Sequence, residues 1–406
     1  MRILVQKFGG TSLSTADARQ HVLEHIKDAL AEEYKLVVVV SAMGRKGDPY
    51  ATDTLLGLVA QSGNALPARE KDMLLCCGEM ISATNLCSIL HAEGISSVVL
   101  TGGQAGVQTN SVFGNAQIES IDPTTIHQYL KQDKVVIVTG FQGMTETGQL
   151  TTLGRGGSDT SATAIGGAIG AEIVDIFTDV NGILTADPRI VEDAKPLTRV
   201  SYTEICNMAY NGAKVIHPRA VEMAMQANVP VRVRSTFSKD EGTLVTSMDM
   251  LSIKDPSWVP DRFVTGIAHT AGVTQIQVSS TEGQYDLQLQ VFKTMAQNDI
   301  SVDFINVNPS GVVYTVFDHE AERATALLQN LGYSPKCMSA CAKVAVIGGG
   351  INGVPGIMAH IVEALTLEDI QILQSADSNT TIWVLVRHDD MGKAVRALHR
   401  KFDLHK

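Results

Sequence analysis

Hydrophobic positions along this chain follow two rhythms. Through about residue 245, the short β-branched runs RILVQKF, KLVVVVS, SSVVLTG, KVVIVTG, EIVDIFT and VPVRVRS alternate with stretches of helical periodicity, and each runs into a Gly, Ser or Thr cluster. Near-continuous apolar strands separated by helices predict an α/β domain: a mainly parallel sheet between two helical layers, an αβα sandwich. Ligands bind such sheets at the C-terminal ends of strands. KFGGTS, VSAMG, TGGQAG, TGFQG and FTDVNG stand there and are expected to converge on one crevice.

The second rhythm is a repeat. VFKTMAQNDI starts at Val291 and IVEALTLEDI at Ile361, while the acidic turns VFDHE and VRHDD start at Val316 and Val386; 361 − 291 and 386 − 316 both equal 70. Gly283 and Gly353, Ala324 and Ala394, and Leu328 and Leu398 keep that offset without a gap. Each copy reads strand, turn, helix, strand, strand, helix, the start of a ferredoxin-like βαββαβ unit. The second copy ends in HRKFDLHK, too short for its own sixth strand, so another part of the chain is expected to complete that edge. The expected domains are 1–245, then a linker over 246–262 with two prolines and little periodicity, then repeat units 263–340 and 341–406.

KVAVIGGGINGVPG holds Gly348, Gly350 and Gly353 in GxGxxG spacing after a strand, with Asp377 further on. A dinucleotide fold needs several more parallel strands, and only 53 residues follow Gly353. The repeat accounts for these glycines as a turn, and a nicotinamide site is rejected.

The 406 residues are 44% hydrophobic with a formal net charge of −11, which fits a buried core and argues against a general grip on nucleic acid. No run approaches the roughly eighteen apolar residues of a membrane span, and the N-terminus lacks a signal-peptide pattern. Six cysteines without paired CxxC spacing predict reduced thiols and a cytoplasmic location.

An anionic ligand must therefore be held by local charges and backbone dipoles. GRGGSD, Gly154 to Asp159, combines glycines that admit close approach with an arginine fork suited to carboxylate or phosphate. KFGGTS ends the first strand with Lys7 and passes through Gly9 and Gly10 to a helix start at Thr11 or Ser12, a phosphate cradle that is not a Walker A loop. Further candidates are Glu79, Thr178, Asp179, Asp187, Arg189 and Lys214. Glu79 and Asp187 are also readable as helix-start residues, and His217 before Pro218 as structural.

KFGGTS, VVVVSAMG, GRGGSDT, TADPR and VRVRS occur here in an order that resembles the aspartate kinases of the amino-acid-kinase superfamily, followed by tandem ACT domains; SAMGRKGDPYATD and QSADSNTTIWVLV are most similar to the Bacillus-type branch. The resemblance implies transfer of the ATP γ-phosphoryl group, with Mg²⁺, to the β-carboxylate of L-aspartate. By that likeness Lys7, Gly9 and Gly10 would cradle the transferring phosphates. Thr178, Asp179, Asp187, Arg189 and Lys214 would line the nucleotide side, and Ser41, Thr52, Glu79, Arg155 and Ser158 would hold the amino acid. Leu184 stands where many members carry an aromatic near the nucleotide.

The chemistry agrees with that reading. An aspartate carboxylate is already ionised near neutral pH, so it needs no general base, and charge neutralisation with in-line positioning remains. Lys7 and Lys214 are candidates for neutralisation, Asp159 for orienting a lysine or a metal-bound water, Arg155 for clamping the substrate α-carboxylate and Glu79 for its α-ammonium. Gly156 and Gly157 would let the ligand lie against the backbone. Which groups hold the metal stays open.

Two other readings are another amino-acid or carbamate kinase of the same fold, such as an acetylglutamate kinase, and a catalytically silent amino-acid sensor. The ACT repeat and GRGGSD favour aspartate, and intact Lys7, Arg155, Asp159 and Lys214 favour an enzyme. The repeat itself is expected to sense a downstream amino acid and, through its sheet edges, to join chains into a homo-oligomer. Its effector site is expected at the helix N-terminus formed by Tyr285, Asp286 and Leu287, with Ser301 and Asp303 on the next strand. The resemblance implies meso-diaminopimelate as effector, with lysine or threonine as alternatives.

Overall fold

The computed structural model describes residues 1–60, 66–213, 215–247, 263–279, 286–351 and 353–406. These fall into two compact units: Met1–Ile183 with Pro196–Ala209 and 215–247, and Leu184–Lys195 with Tyr210–Ala213 and 263–406. The expected linker 246–262 lies, from 248 on, outside the described residues.

The first unit is built on an eight-stranded sheet. Its strands are β1 (Ile3–Phe8), β2 (Lys35–Val40), β3 (Ser97–Leu100), β6 (Val135–Thr139), β9 (Ile173–Thr178), β10 (Arg199–Ser201), β11 (Val231–Ser235) and β12 (Thr243–Thr246). The order is β10-β12-β11-β9-β1-β2-β6-β3. All pairings are parallel except that of β11 with β12.

All six β-branched runs lie in this sheet. Val37 to Val40 have no exposed surface, because helices cover both faces of a central parallel strand. VRVRS alternates instead. Arg232 stands in register beside Asp175 of β9 and binds that fully buried carboxylate at 2.8 and 2.9 Å, while Arg234 lies 3.5 Å away.

The remaining strands of this unit, β4 (Val107–Thr109), β5 (Ile118–Ile121), β7 (Gln142–Met144) and β8 (Leu150–Thr152), make a small sheet in the order β5-β4-β7-β8. The sequence reading missed it, since three-residue strands leave almost no periodicity.

Helix Ala68–Ala92 is, among the described residues, the one helix with the length and apolar composition of a membrane span, against the expectation that no such stretch exists. Its apolar face is turned to the core: Ala83, Leu86 and Leu90 pack with Leu4, Val38 and Ile137 of the sheet. Asp72 and Glu79 are also buried on it.

The second unit carries one six-stranded antiparallel sheet: β13 (Gly266–Ser279), β14 (Asp303–Asn308), β15 (Gly311–Phe317), β16 (Lys336–Ile347), β17 (Gln374–Asp377) and β18 (Thr381–Arg387). The order β14-β15-β13-β16-β18-β17 is symmetric about the central pair. The 70-residue offset holds in three dimensions, with Gly311–Phe317 matching Thr381–Arg387 and helix Leu287–Gln297 starting 70 residues before Ile357–Thr366 (357 − 287).

The missing sixth strand is found here. Residues Gly266 to Ala271 at the start of β13 pair with Ala342 to Ile347 of β16 and so close the second copy, while Lys336 to Cys341 of β16 close the first. Two copies that each lack an edge strand thus share two long ones. In this antiparallel setting the GxGxxG glycines after β16 end a strand of the repeat rather than open a Rossmann unit, as the repeat predicts.

Candidate active site

Lys7 is the penultimate residue of β1, and Asp159 lies in the first turn of helix Gly157–Ala168. Both side chains are nearly buried, and Lys7 Nζ sits 2.6 Å from Asp159 Oδ1. The pair borders a cleft of about 590 Å³ at the C-terminal ends of β1 and β2, which Gly10, Ser41, Thr52, Glu79, Arg155 and Ser158 also line. Seven of the expected site residues outside the nucleotide side, plus Gly10, therefore meet in one place.

Close backbone approach shapes this cleft. A Cβ at Gly10 would lie 2.7 Å from the Ala42 carbonyl oxygen and 2.5 Å from that of Gly44, whose N–H donates to the Gly10 carbonyl at 2.9 Å. The loops after β1 and β2 can touch only because residue 10 has no side chain. The helix after KFGG starts at Gly10, is a single turn to Leu13, and gives way to Ala16–Ala31.

Gly156 has φ +69°, and a Cβ there would overlap the His217 ring at 2.1 to 2.5 Å. The glycines of GRGGSD thus answer first to the protein's own packing, since Gly157 is pressed on Phe141 and Leu153, rather than to a ligand lying on them. His217 is structural, as expected: it caps helix Pro218–Ala227 by accepting from Arg219 N–H.

Glu79 sits in the middle of its long helix, which excludes the helix-start reading. It is 2% exposed; Oε1 accepts from Ala42 N–H at 3.1 Å and Oε2 has no partner. Burial pushes this carboxyl up to about 8. Arg155, exposed at the cleft, is paired with no acid among the described residues. A cationic fork and a half-satisfied buried carboxylate are what a zwitterionic amino acid requires of a site.

The nucleotide-side residues behave differently. Asp179 pairs with Arg45 at 2.6 Å, and Thr178 Oγ1 donates to Asp179 at 3.2 Å. Asp187 and Arg189 bind each other through two guanidinium nitrogens, at 3.0 and 2.6 Å, in a turn of the second unit; the Arg189 hydrogen bond holds the Asp187 carboxyl below its ordinary value. Lys214 lies outside the described residues.

TGGQAG does not line the cleft as expected. Gly102 and Gly103 are pressed against Gln142 and Met144 of β7, so this turn launches the small sheet instead.

Sequence reasoning missed Asp53, Lys71 and Asp72, which line the cleft, and Arg45, which pairs with Asp179. Arg45 stands in the same SAMGRKG loop that supplies Ser41, a motif position that could have marked it. Asp72 had no such mark: its carboxylate takes Gly114 N–H, Thr152 N–H and Thr152 Oγ1 at 2.8 to 2.9 Å and ties the long helix to β8.

The effector candidates are scattered in role. Tyr285 lies outside the described residues. Asp286 precedes helix Leu287–Gln297 without capping it through its side chain, and Leu287 is fully buried in the core, so it can offer a ligand only backbone. Ser301 is exposed before β14, and the Asp303 carboxylate, expected to be free for an ammonium, is taken by Lys343 of β16. At the equivalent helix of the second copy a cleft of about 410 Å³ opens, lined by Gly356, Ile357, Ser375 and Asp377 among others.

A doubly covered parallel sheet with a lysine at the end of β1 and glycine loops around an anion cleft defines an amino acid kinase. The amino acid kinase family matches residues 2–235, and an ACT domain matches 337–400. Aspartokinase 1 of Bacillus subtilis is 56% identical over 406 residues, covering 100% of both chains, and the aspartokinase of Geobacillus stearothermophilus is 39% identical over 410 residues, covering 100% of this chain and 98% of its own. The crystal structure of E. coli aspartokinase III in complex with aspartate and ADP matches with a TM-score of 0.79 at 25% identity, over 98% of this chain and 99% of that one. This chain belongs to the aspartokinase family, ATP-dependent aspartate kinases regulated through ACT domains.

Proposed function

We propose that the cleft bordered by Lys7 and Asp159 catalyses attack of the L-aspartate β-carboxylate on the γ-phosphorus of ATP, giving 4-phospho-L-aspartate and ADP. The observation that carries this reading is the joint placement of Arg155, unpaired, and Glu79, with one oxygen unsatisfied, on the same cleft as the Lys7–Asp159 pair. Arg155 takes the α-carboxylate and Glu79 the α-ammonium, while Ser41, Thr52 and Ser158 supply hydroxyls to the rest of the substrate. Aspartate is then held with its β-carboxylate toward Lys7.

Lys7 stabilises the charge on the transferring group, and Asp159 keeps its Nζ aimed. Gly9 is open on that side, with Lys7 Nζ 3.6 Å from where a Cβ would stand, so phosphate oxygens can reach its backbone. Lys214 adds a second cation. Thr178, Asp179, Asp187 and Arg189 serve the nucleotide side, and the first pair does so beside Arg45.

Mg²⁺ fits this donor set only as an ion carried mainly by the nucleotide. Asp72 is saturated, Asp159 is engaged by Lys7, and no group of three metal-ligating side chains stands in the cleft among the described residues. Carried by the nucleotide, such an ion would neutralise phosphate charge, and Asp159 would be the carboxylate suited to hold one of its waters.

E. coli aspartokinase III has been captured with lysine and aspartate in a T-state. By analogy the ACT pair of this chain senses an amino acid of the same biosynthetic branch, meso-diaminopimelate first and lysine or threonine next, and its edge strands join protomers. Hydroxylamine trapping of the acyl phosphate across a panel of amino acids tests the chemistry. A hydroxamate formed from aspartate alone supports it, and turnover with N-acetylglutamate instead would overturn it.

A further inference from the structure

Asp193, His399 and His405, all in the second unit, bring one potential ligand atom each to within 4.8 Å of one another. They come from separate pieces of chain: Asp193 from segment Leu184–Lys195, His399 from the last turn of helix Met391–Lys401, and His405 from the tail beyond it. Nothing in phosphoryl transfer to aspartate calls for them.

The hydrogen bonding around His399 fixes its tautomer. Its ring is fully buried, and Nε2 lies 2.9 Å from Thr185 Oγ1. That hydroxyl accepts from Lys195 N–H at 3.0 Å and turns its own hydrogen to the Leu404 carbonyl at 3.4 Å, so it receives Nε2–H as a second donor. A lone pair is left on His399 Nδ1, which is buried without a partner, and His405 Nδ1 is buried without one as well. Buried polar atoms are ordinarily satisfied. Two buried imidazole nitrogens without a protein partner, beside a carboxylate, suit a common ligand that accepts lone pairs.

We propose that Asp193, His399 and His405 form a binding site for a divalent transition metal, with Zn²⁺ the best match, that pins segment Leu184–Lys195 to the C-terminal helix. Two imidazoles and a carboxylate with water as a fourth ligand are a zinc donor set, whereas Mg²⁺ and Ca²⁺ want oxygen. Donors about 2 Å from a shared tetrahedral ion stand ~3.3 Å apart, so the cluster closes by an ångström or so on binding. Asp193 is exposed and His405 half-buried, which leaves both side chains free to close. Thr185 fills the role of the outer partner that orients a metal-bound histidine through its second nitrogen.

The test uses the full chain stripped of metal by chelator and titrated with Zn²⁺ against a chromophoric competitor. One equivalent per chain is expected to bind with sub-micromolar Kd, and Co²⁺ is expected to give the visible absorption of a tetrahedral site. Asp193→Asn and His405→Ala should each weaken binding by at least about tenfold while far-UV circular dichroism and aspartate turnover stay unchanged. His399→Ala removes a core side chain and is not needed for the decision. Absence of binding below about 100 µM, or undiminished affinity in both outer-ligand variants, which would move the metal to other donors such as the free cysteines, overturns the site.

Discussion

The catalytic cleft and the ACT repeat use β-strands in opposite ways. In the first unit the main sheet is parallel apart from β11 with β12, and the cleft collects single residues from a strand end, a helix and two loops far apart in sequence: Lys7, Glu79, Ser41 and Arg155. In the second unit the strands are antiparallel and spend their length on each other, with the paired β13 and β16 as the shared centre of both copies. A change in the cleft is therefore expected to read out as chemistry with little cost to the fold, whereas a change in the repeat reads out as coupling or stability.

The largest effect should come from Lys7→Met. Loss of one preorganised positive group from a phosphoryl-transfer site costs roughly 10²–10³ in kcat, and here it also leaves Asp159 nearly buried without its 2.6 Å partner. Steady-state kinetics should show kcat falling much further than either substrate's KM changes. A near-normal kcat would remove Lys7 from the transition state.

Arg155→Ala should act next, and on one substrate. Truncating one member of a charge pair that becomes desolvated costs about 2–5 kcal/mol, roughly 30-fold or more in affinity. The aspartate KM should rise by that amount with the ATP KM little changed. Equal losses for both would place Arg155 on the phosphates instead.

Glu79 links the cleft to pH. With its carboxyl at about 8 in the free protein, the ionised form that an ammonium needs becomes dominant only as pH rises through that value, so kcat/KM for aspartate should climb up to about pH 8. The stability effect has the opposite sense. The folded state holds this proton more tightly than the unfolded chain, whose carboxyl lies near 4.5, so the contribution is complete below about 4.5 and lost as pH rises through 8. A shift of this size is worth on the order of a few kcal/mol. Glu79→Gln should flatten both profiles, becoming more stable than the parent at alkaline pH while binding aspartate at least tenfold less well.

Lys7, Ser41 and Arg155 were legible because each sat in a short motif at the end of a strand or before a helix start, whereas Glu79, in the middle of a helix, carried no such mark. The parallel order was legible from apolar runs such as those of β1 and β2. Asp72 was not, because a buried carboxylate saturated by Gly114 and Thr152 looks in sequence like any helix-surface acid. The small sheet was hidden by the shortness of its strands. Asp303 was readable as an acid on the right strand, but its partner Lys343 lies 40 residues on, in a copy of the repeat whose sharing of strands no local pattern discloses.

A smaller effect, on stability, tests why GRGGSD is glycine-rich. Gly156→Ala puts a Cβ into the His217 ring at a residue with φ +69°, which should destabilise the first unit by about 1–3 kcal/mol through left-handed strain and overlap. Because the obstacle is His217 and not a ligand, the double variant with His217→Ala should recover part of the loss in a denaturant titration. Full additivity would mean that backbone strain alone carries the cost.

The smallest effect on basal turnover is expected at the repeat, with Asp286→Ala. The residue precedes helix Leu287–Gln297, yet its side chain makes no capping hydrogen bond there, so its loss should change stability by less than about 0.5 kcal/mol. Leu287 is a core residue and Asp303 is held by Lys343, which leaves Asp286, among the described residues, as the acid at this helix start able to meet an effector's ammonium. An effector that favours a less active state binds by linkage less tightly when substrates hold the active one. Removing its contact should raise the inhibitory concentration of meso-diaminopimelate about tenfold or more while uninhibited kcat stays within twofold of the parent. An unchanged inhibition curve would shift the sensing site to the Gly356–Asp377 cleft of the second copy, where the same assay on Asp377→Ala supplies the contrast.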